Sequence, residues 1–214
     1  MEFALSEEQG ILSESIKKMF DESISIDNLR DHSKGEKSLR KTIRRSIIDM
    51  GLPGLMIPEE YGGSGLGVLE ASLVAEQIGS YAVPSPWIGN SIMVPTAILF
   101  EKDNHLAEKW LPLIASGEIT ACISLSEVIG KRDDLGLTVN GDKVSGINIF
   151  GIDGELDPAI IITAVNNNLI LIETDNNGVE INEIPTIDST RPVVEIIFDS
   201  SNYVIIPGGK EAIQ

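Results

Sequence analysis

The spacing of apolar residues changes near residue 118, and this change limits the folds that the chain can adopt. Up to about residue 116, apolar residues recur every three or four positions, which is typical of helices packed by one face. From about Glu118 they form short β-branched runs separated by turn residues. Helices followed by strands, without alternation, argue against a doubly wound parallel sheet. We therefore predict a multidomain α+β protein, with an all-α helical bundle over residues 1–117 and an antiparallel β domain over residues 118–214.

Five helices are predicted in the first half. The word "SEEQ" at residues 6–9 has the form of a capping box and marks the start of the first helix. The second helix stops at Gly51 and Pro53, because glycine and proline are common just beyond a helix end. The apolar positions that define the five helices are Leu12, Ile16, Met19 and Phe20; Leu39, Ile43, Ile47 and Met50; Leu69, Leu73, Ala75 and Ile78; "SIMVPTAILF" with Pro95; and Leu106 to Ile114, ending at Gly117.

Seven strands are predicted in the second half. The word "VNGDKV" places Asn-Gly between apolar flanks, which is the strongest short hairpin signal. The words "NNN" and "DNNG" indicate two further turns. The predicted strands are "ITACISL", "GLTVN", "KVSGINIFGI", "AIIITAV", "NLILIET", "GVEINEI" and "VVEIIFD".

Composition excludes several classes of function. A formal net charge of −17 argues against a nucleic-acid surface and against docking on anionic membranes. The first residues lack a basic and then apolar leader, and the longest apolar runs are only strand-sized, so we expect a cytosolic protein. One cysteine, Cys122, allows no internal disulfide, and two distant histidines give no zinc set, so no metal is expected.

The segment "IPEEYGGSGLG" at residues 57–67 has four glycines in eleven positions. Gly63, Gly65 and Gly67 give G-x-G-x-G, which differs from the dinucleotide fingerprint, and no Lys-Ser/Thr pair follows as in a Walker loop. Two interpretations remain open. The segment is an irregular turn that needs positive φ, or its backbone contacts a ligand directly.

Four longer sequence segments, in the order in which they occur along the chain, resemble segments of the acyl-CoA dehydrogenase family. They cover essentially the whole chain as the N-terminal and middle domains of such a protein. The words are "MGLPGLMIPEEYGGSGL", a loop between helices; "EKWLPLIASGEITACISLSE", the entry to the β domain; "VNGDKVSGINIFGIDG", a hairpin; and "IDSTRPVVEIIFDS", the last strand of the middle domain.

This resemblance implies a flavin enzyme that uses FAD to oxidise the α–β bond of an acyl-CoA thioester. It implies oligomers of like or related subunits and an electron acceptor such as an electron-transfer flavoprotein. In the family the catalytic base lies in a C-terminal helical domain, which is expected beyond Gln214. No catalytic residue is therefore assigned here, and the isolated chain is expected to be inactive and to bind FAD weakly or not at all.

Two alternatives stay open at this point. One is a non-catalytic subunit of a heteromeric acyl-CoA dehydrogenase that contributes part of a shared FAD site. The other is a sibling chemistry on the same fold, such as an acyl-CoA oxidase or a flavin monooxygenase, because fold does not decide among these reactions.

The resemblance implies cofactor contacts at Leu125, Ser126, Phe150, Gly151 and Ile152. Leu125 and Ser126 would present backbone groups and a hydroxyl to the pyrimidine edge of the flavin, and Phe150 stands where the family has a tryptophan beside the ring. Ile152 stands where the family has a threonine that bonds to flavin N5, and isoleucine has no polar group to offer.

The word "GKRDD" stands where the family has small residues after Thr-Glu. Its basic residues, Lys131 and Arg132, are predicted substrate contacts to a phosphate, with solvation on a surface loop as the alternative. Arg191 is expected to be an ion-pair anchor. Other singled-out residues receive structural interpretations: Cys122, Trp87 and Trp110 as buried or interface positions, and Glu59, Glu60 and Glu127 as solvated acids.

Overall fold

The computed structural model describes residues 4–100, 105–124, 135–154, 157–175, 177–188 and 190–208. The described residues form helices first and strands second, as the sequence predicts. The α-helices are α1 (Glu7–Ser23), α2 (Ile26–Ser33), α3 (Ser38–Asp49), α4 (Val68–Ser80), α5 (Val94–Leu99) and α6 (His105–Ala115). The strands are β1 (Ala121–Ser124), β2 (Gly136–Asn140), β3 (Lys143–Gly151), β4 (Ile160–Val165), β5 (Asn168–Glu173), β6 (Val179–Ile184), β7 (Val193–Asn202) and β8 (Val204–Ile205).

Helix α1 begins as predicted, because Ser6 and Gln9 form the capping box that the sequence indicates. Helix α2 was not predicted. It is only eight residues long and starts with a second capping box, in which Ser25 and Asn28 take the two positions. The predicted fourth helix consists of a π-helical segment, Ile88–Met93, followed directly by the short α5, with Pro95 in the first turn of α5.

The strands form two four-stranded sheets, in the orders β1-β4-β5-β8 and β2-β3-β7-β6. Two predicted turns are confirmed. Gly141 and Asp142 join β2 to β3, and Asn166 and Asn167, both with positive φ, join β4 to β5.

The prediction of antiparallel pairing holds for every pair between described strands except one, since β1 pairs with β4 in parallel. A parallel pair needs a long connection that returns the chain in its original direction. Here the segment between β1 and β4 contains the β2–β3 hairpin, which belongs to the other sheet. Nothing in the local sequence of β1 predicts its parallel pairing with β4.

Within the part of the chain that the structure describes, three hydrophobic clusters fill the interior. The helical cluster lies within the first half and includes Phe20, Ile43, Val74 and Trp87. The inter-sheet cluster lies between the two sheets and includes Cys122. The shared cluster joins helices α5 and α6 to strands β1, β4 and β5; it contains Val94, Ala97, Ile98, Leu106, Trp110, Leu111, Ile114, Ala121, Ile123, Ile160, Ile162, Leu169 and Leu171.

Strand β4 is buried at every position because it contributes to two of these clusters. Ile160 and Ile162 face the shared cluster, whereas Ile161 and Val165 face the inter-sheet cluster. This explains its unbroken apolar sequence. Burial of Cys122, Trp87 and Trp110 confirms their interpretation as core residues.

No helix among the described residues is long and apolar enough to cross a membrane. In the same ranges, no group of three or more His, Cys, Asp or Glu side chains is placed to hold a metal ion. The cytosolic location stays a prediction.

Candidate functional site

Three of the predicted cofactor contacts, Phe150, Gly151 and Ile152, lie where the end of β3 meets β1. The Ile152 amide donates to the Ile123 carbonyl over 2.8 Å, and the Ile123 amide donates to the Ile152 carbonyl over 3.3 Å. Ser124 is fully buried and its hydroxyl donates to the Ile149 carbonyl at 3.1 Å. We call this place the β1–β3 edge. The predicted contacts Leu125, Ser126, Lys131 and Arg132 lie outside the described residues.

Phe150 presents its ring to the surface at this edge. The pairing of β3 with β7 shifts register between Asn148 and Gly151, so that Phe150 sits in a bulge with a φ of 61°. Such a backbone is unusual for a bulky residue and is a recurrent feature of functional sites. The side chain is 43% exposed, which leaves an apolar ring available to a planar ligand. Its flavin contact stays a prediction.

Close packing explains why residue 151 is a glycine, which the sequence alone did not indicate. A Cβ added at Gly151 would lie 2.6 Å from Cγ2 of Val194, and one added at Gly154 would lie 2.4 Å from the same atom. Both glycines therefore allow the end of β3 to cross closely over β7. Contact between Gly151 and a cofactor stays a prediction.

Both the backbone and the side chain of Ile152 make contacts within the protein. Its backbone groups are both bonded to Ile123, and its side chain packs against the shared cluster. It offers no side-chain donor or acceptor where the family has a threonine hydroxyl.

A buried carboxylate, Asp153, ties this edge to the helical half. Oδ2 of Asp153 accepts from the amides of Gly89, at 2.6 Å, and Asn90, at 3.1 Å. Its Oδ1 accepts from Nη2 of Arg191 at 3.2 Å. The Asn90 side chain in turn accepts from the Ala121 amide at 2.8 Å. The π-helical segment, β1, the end of β3 and the start of β7 are thus fixed to one another.

The environment of Asp153 has opposing effects on its charge. Burial raises the pKa of Asp153 above its ordinary value, whereas Arg191 and the amides of Asn90 and Gly89 oppose that rise. The ion pair confirms Arg191 as an anchor. Sequence reasoning missed Asp153 and Asn90; the only signal was an acidic residue inside the glycine-flanked word "GIDG".

The glycine-rich loop turns its amides inward. The amides of Ser64, Gly65 and Leu66 each donate over 2.9 Å, to the carbonyls of Gly54, Ile57 and Leu55 respectively. Backbone donors already bonded in this way are not available to a phosphate.

Positive φ and close packing explain the glycines of this loop. Gly62 and Gly65 have φ of 80° and 62°. A Cβ at Gly63 would lie 2.0 Å from the Ile57 carbonyl oxygen. These observations favour the irregular turn over direct ligand contact. Glu59 and Glu60 are exposed, in agreement with solvated acids.

Comparison with known proteins places the chain in a family. A family model described as "Acyl-CoA dehydrogenase, N-terminal domain" matches residues 6–118, more than half of the chain, and the chain therefore belongs to the acyl-CoA dehydrogenase family. A curated relative, mitochondrial isovaleryl-CoA dehydrogenase of Pongo abelii, is 28% identical over 176 residues. That match covers 78% of this chain but only 41% of the relative.

Solved structures share the fold, which confirms the α+β class. A glutaryl-coenzyme A dehydrogenase in complex with glutaryl-CoA has a TM-score of 0.84 at 21% identity, covering 100% of this chain and 60% of that one. The ChsE4-ChsE5 complex from Mycobacterium tuberculosis has a TM-score of 0.83 at 18% identity, covering 100% and 61%. An acyl-CoA dehydrogenase complexed with FAD from Bacillus anthracis has a TM-score of 0.71 at 19% identity, covering 94% and 37%.

Proposed function

We propose that this chain supplies part of the FAD site of an acyl-CoA dehydrogenase. The observation that carries the proposal is the pairing of Ile123 with Ile152, which brings Phe150 beside the end of β1, immediately before Leu125 and Ser126 in the chain. FAD, when bound, would accept a hydride from the β carbon of an acyl-CoA thioester. Family membership supports this assignment.

The residues of this chain would position the cofactor. The exposed ring of Phe150 suits packing beside the flavin, and the Ser126 hydroxyl suits a hydrogen bond at its pyrimidine edge. Lys131 and Arg132 would bind a phosphate of the cofactor or substrate. The base that removes the α proton, and the surface that closes the site, would come from a segment outside these 214 residues.

A second candidate function is that of a non-catalytic subunit in a heteromeric acyl-CoA dehydrogenase. The observation that favours it is Ile152, whose backbone is fully bonded and whose side chain cannot bond to flavin N5. The fold shared with the ChsE4-ChsE5 complex is consistent with such a partner. Either candidate implies acyl-CoA as substrate, a related or identical partner subunit, and an electron-transfer flavoprotein as acceptor.

FAD titration of the 214-residue chain tests the proposal. We expect weak binding, which Phe150→Ala reduces by roughly two- to tenfold, because an aromatic contact contributes about 0.5–1.5 kcal/mol. Phe100→Ala is the matched control, since Phe100 is 41% exposed on the helical half. Ile152→Thr should tighten binding by roughly the same factor, because it adds a hydrogen-bonding hydroxyl. Flavin fluorescence reports the affinities.

Two results would contradict the site at the β1–β3 edge. One is equal affinity of the Phe150→Ala and Phe100→Ala variants. The other is FAD binding by the wild-type chain that Ile152→Thr leaves unchanged or weakens. Stoichiometric flavin retained through gel filtration would instead contradict the expectation that the rest of the site lies outside this chain.

A further inference from the structure

A second concave site lies between the helical half and the β6–β7 connection, and it shares no residue with the predicted flavin contacts. The cavity has a volume of about 460 Å³. One wall comes from the end of α2, the α2–α3 turn and the start of α3; the other comes from the end of β6 and the loop before β7. The lining residues that the argument uses are His32, Lys37, Arg40, Glu183, Ile184 and Asp188.

Arg40 lines this cavity and has a buried guanidinium nitrogen without a partner. Only 7% of the residue is exposed, and its Nε is buried without a hydrogen-bond acceptor. Among the described residues, no carboxylate forms an ion pair with its guanidinium. A buried donor without an acceptor is unfavourable, so Nε of Arg40 lacks a hydrogen-bond partner that a ligand in the cavity can supply.

The backbone at the start of α3 adds to the positive electrostatic potential around Arg40. Arg40 lies in the first turn of α3, at the positive end of the helix dipole, where acidic residues are normally favourable. The first turn of α3 contains no acidic residue, and the N-cap position is Lys37. Just before the helix, the Glu36 carboxylate accepts from the Ser38 amide at 3.0 Å, so Lys37 and Arg40 share this helix start with one acidic group.

His32 provides a second buried polar atom without a partner. Its Nδ1 lies 3.0 Å from the Glu36 carbonyl oxygen, and because a carbonyl can only accept, Nδ1 carries the proton. Nε2 is buried and has no partner among the described residues, and the residue is 6% exposed. Nε2 can accept a hydrogen bond from a ligand hydroxyl.

The opposite wall is acidic and partly apolar. Oδ1 of Asp188 accepts from the amide and the hydroxyl of Thr190, at 2.9 and 2.6 Å, so it stabilises its own turn. Glu183 is exposed at the end of β6, beside the half-buried Ile184. This wall suits the neutral or hydrogen-bond-donating part of a ligand and repels an anionic group toward Arg40.

We propose that this cavity binds a small organic anion, with its phosphate or carboxylate group held by Arg40 and Lys37 and with a ligand hydroxyl donating to Nε2 of His32. The anion supplies the acceptor that Nε of Arg40 lacks and interacts favourably with the start of α3. Ile184 contacts the body of the ligand, and Glu183 accepts from its hydroxyl or amino groups. The volume exceeds that of an inorganic ion, which is why an organic anion fits the cavity better.

Thermal unfolding of the whole 214-residue chain, with inorganic phosphate and with succinate, tests the site. Sodium chloride at the same ionic strength controls for general screening. We expect phosphate, succinate or both to raise the midpoint above the chloride value, because a ligand that binds the folded state stabilises it. A response to phosphate alone assigns a phosphate group, and a response to succinate alone assigns a carboxylate.

Two variants on α3 make the test specific. Arg40→Gln should weaken probe affinity by at least roughly tenfold, as expected for loss of a charge-assisted contact. Arg45→Gln is the matched control, because Arg45 is exposed on the same helix and should leave probe affinity unchanged. If Arg40→Gln does not fold, Lys37→Gln provides the second test, with an expected loss of about two- to fivefold.

The proposal is overturned if neither probe stabilises the wild-type chain beyond chloride. It is also overturned if Arg40→Gln, or Lys37→Gln in its place, lowers the midpoint while the probe-induced shift stays as large as in wild type. That second result would assign Arg40 a packing role only. The readout requires no flavin, so it is independent of the FAD titration.

Discussion

Asp153 shows how much of the architecture depends on a single side chain. Its carboxylate bonds to the π-helical segment through two amides and to the start of β7 through Arg191. Its neighbour Ile152 bonds to β1. Asp153 thus fixes the β1–β3 edge against the helical half, although we do not assign it a catalytic role.

Replacing Asp153 by alanine should strongly destabilise the fold. The change leaves Arg191 without its partner and two buried amides without an acceptor, and breaking a buried pair in this way costs about 3–5 kcal/mol. Asp153→Asn keeps one acceptor oxygen and should cost less. Urea unfolding measures both, with Asp49→Ala, an exposed residue of α3, as the control near zero. Equal stabilities of Asp153→Ala and Asp49→Ala would contradict this role.

The pH dependence of the Asp153→Asn variant provides a second readout. Because burial raises the folded-state pKa of Asp153 above its ordinary value of 3.8, the folded state binds the proton more tightly than the unfolded state. The stability contributed by this group is therefore fully present below pH 3.8 and is lost as pH rises through the folded pKa. The wild-type chain should lose stability relative to Asp153→Asn over that window. A relative gain would mean that Arg191 and the amides outweigh burial.

At the scale of elements, periodicity and turn residues predicted most of the fold. Each of the seven segments that we predicted to be strands contains a strand, because β-branched runs between turn residues are a local signal. Helix α2 was missed because its eight residues include only two apolar ones, Ile26 and Leu29, and its stability comes from capping and tertiary contact. Strand β8 is two residues long and exists through pairing with β5.

Long-range contacts could not be read from local patterns. Asn90 and Asp153 are 63 positions apart, and neither belongs to a motif that indicates the other. The parallel pairing of β1 with β4 likewise depends on the path of the intervening hairpin. For the site, family resemblance indicated the β1–β3 edge, whereas burial alone identified Arg40 and His32.

The glycine-rich loop makes a prediction at the same scale. Gly63→Ala should cost at least about 2–3 kcal/mol, because its Cβ would overlap the Ile57 and Gly54 carbonyl oxygens in a packed turn. Gly62→Ala should cost only about 1–2 kcal/mol, because its Cβ would lie in open space and only the positive φ is unfavourable for alanine. Gly10→Ala, in helix α1 with open space around it, should stabilise by about 0.5–1 kcal/mol.

Chemical denaturation of these three variants separates packing from backbone conformation. Equal losses of unfolding free energy in Gly63→Ala and Gly62→Ala would show that the loop relaxes around the added methyl group. In that case the loop would be free to reshape around a ligand, and the irregular-turn interpretation would lose its main support.

For the molecule as a whole, one end of the surface exposes several large apolar side chains. Leu99, Phe100, Val204 and Ile205 are each at least 40% exposed. The chain after β8 approaches the end of α5, since a Cβ at Gly208 would lie 2.6 Å from the Phe100 carbonyl oxygen. Strand β8 is also an edge strand, which is open to pairing. Such surfaces mark interaction sites.

We expect the purified chain to self-associate or to bind a dye for apolar surface at low micromolar concentration. Sedimentation velocity with dye fluorescence measures both. Ile205→Lys should reduce both signals, because it places a charge on the edge strand, whereas Ile11→Lys, on the exposed face of α1, should not. A monomeric wild-type chain without dye signal would show that this end needs no partner.

The shared cluster has a consequence for how the protein is made. The predicted boundary at residues 117 and 118 separates α6 from β1, yet both contribute side chains to that cluster, together with β4 and β5. A ribosome releases α5 and α6 before Ile160 to Leu171 exist, so the side of these helices that packs on β4 and β5 is uncovered during that interval. The first half of the nascent chain can therefore complete only the helical cluster by itself. Its remaining packing has to wait for strands that are synthesised later.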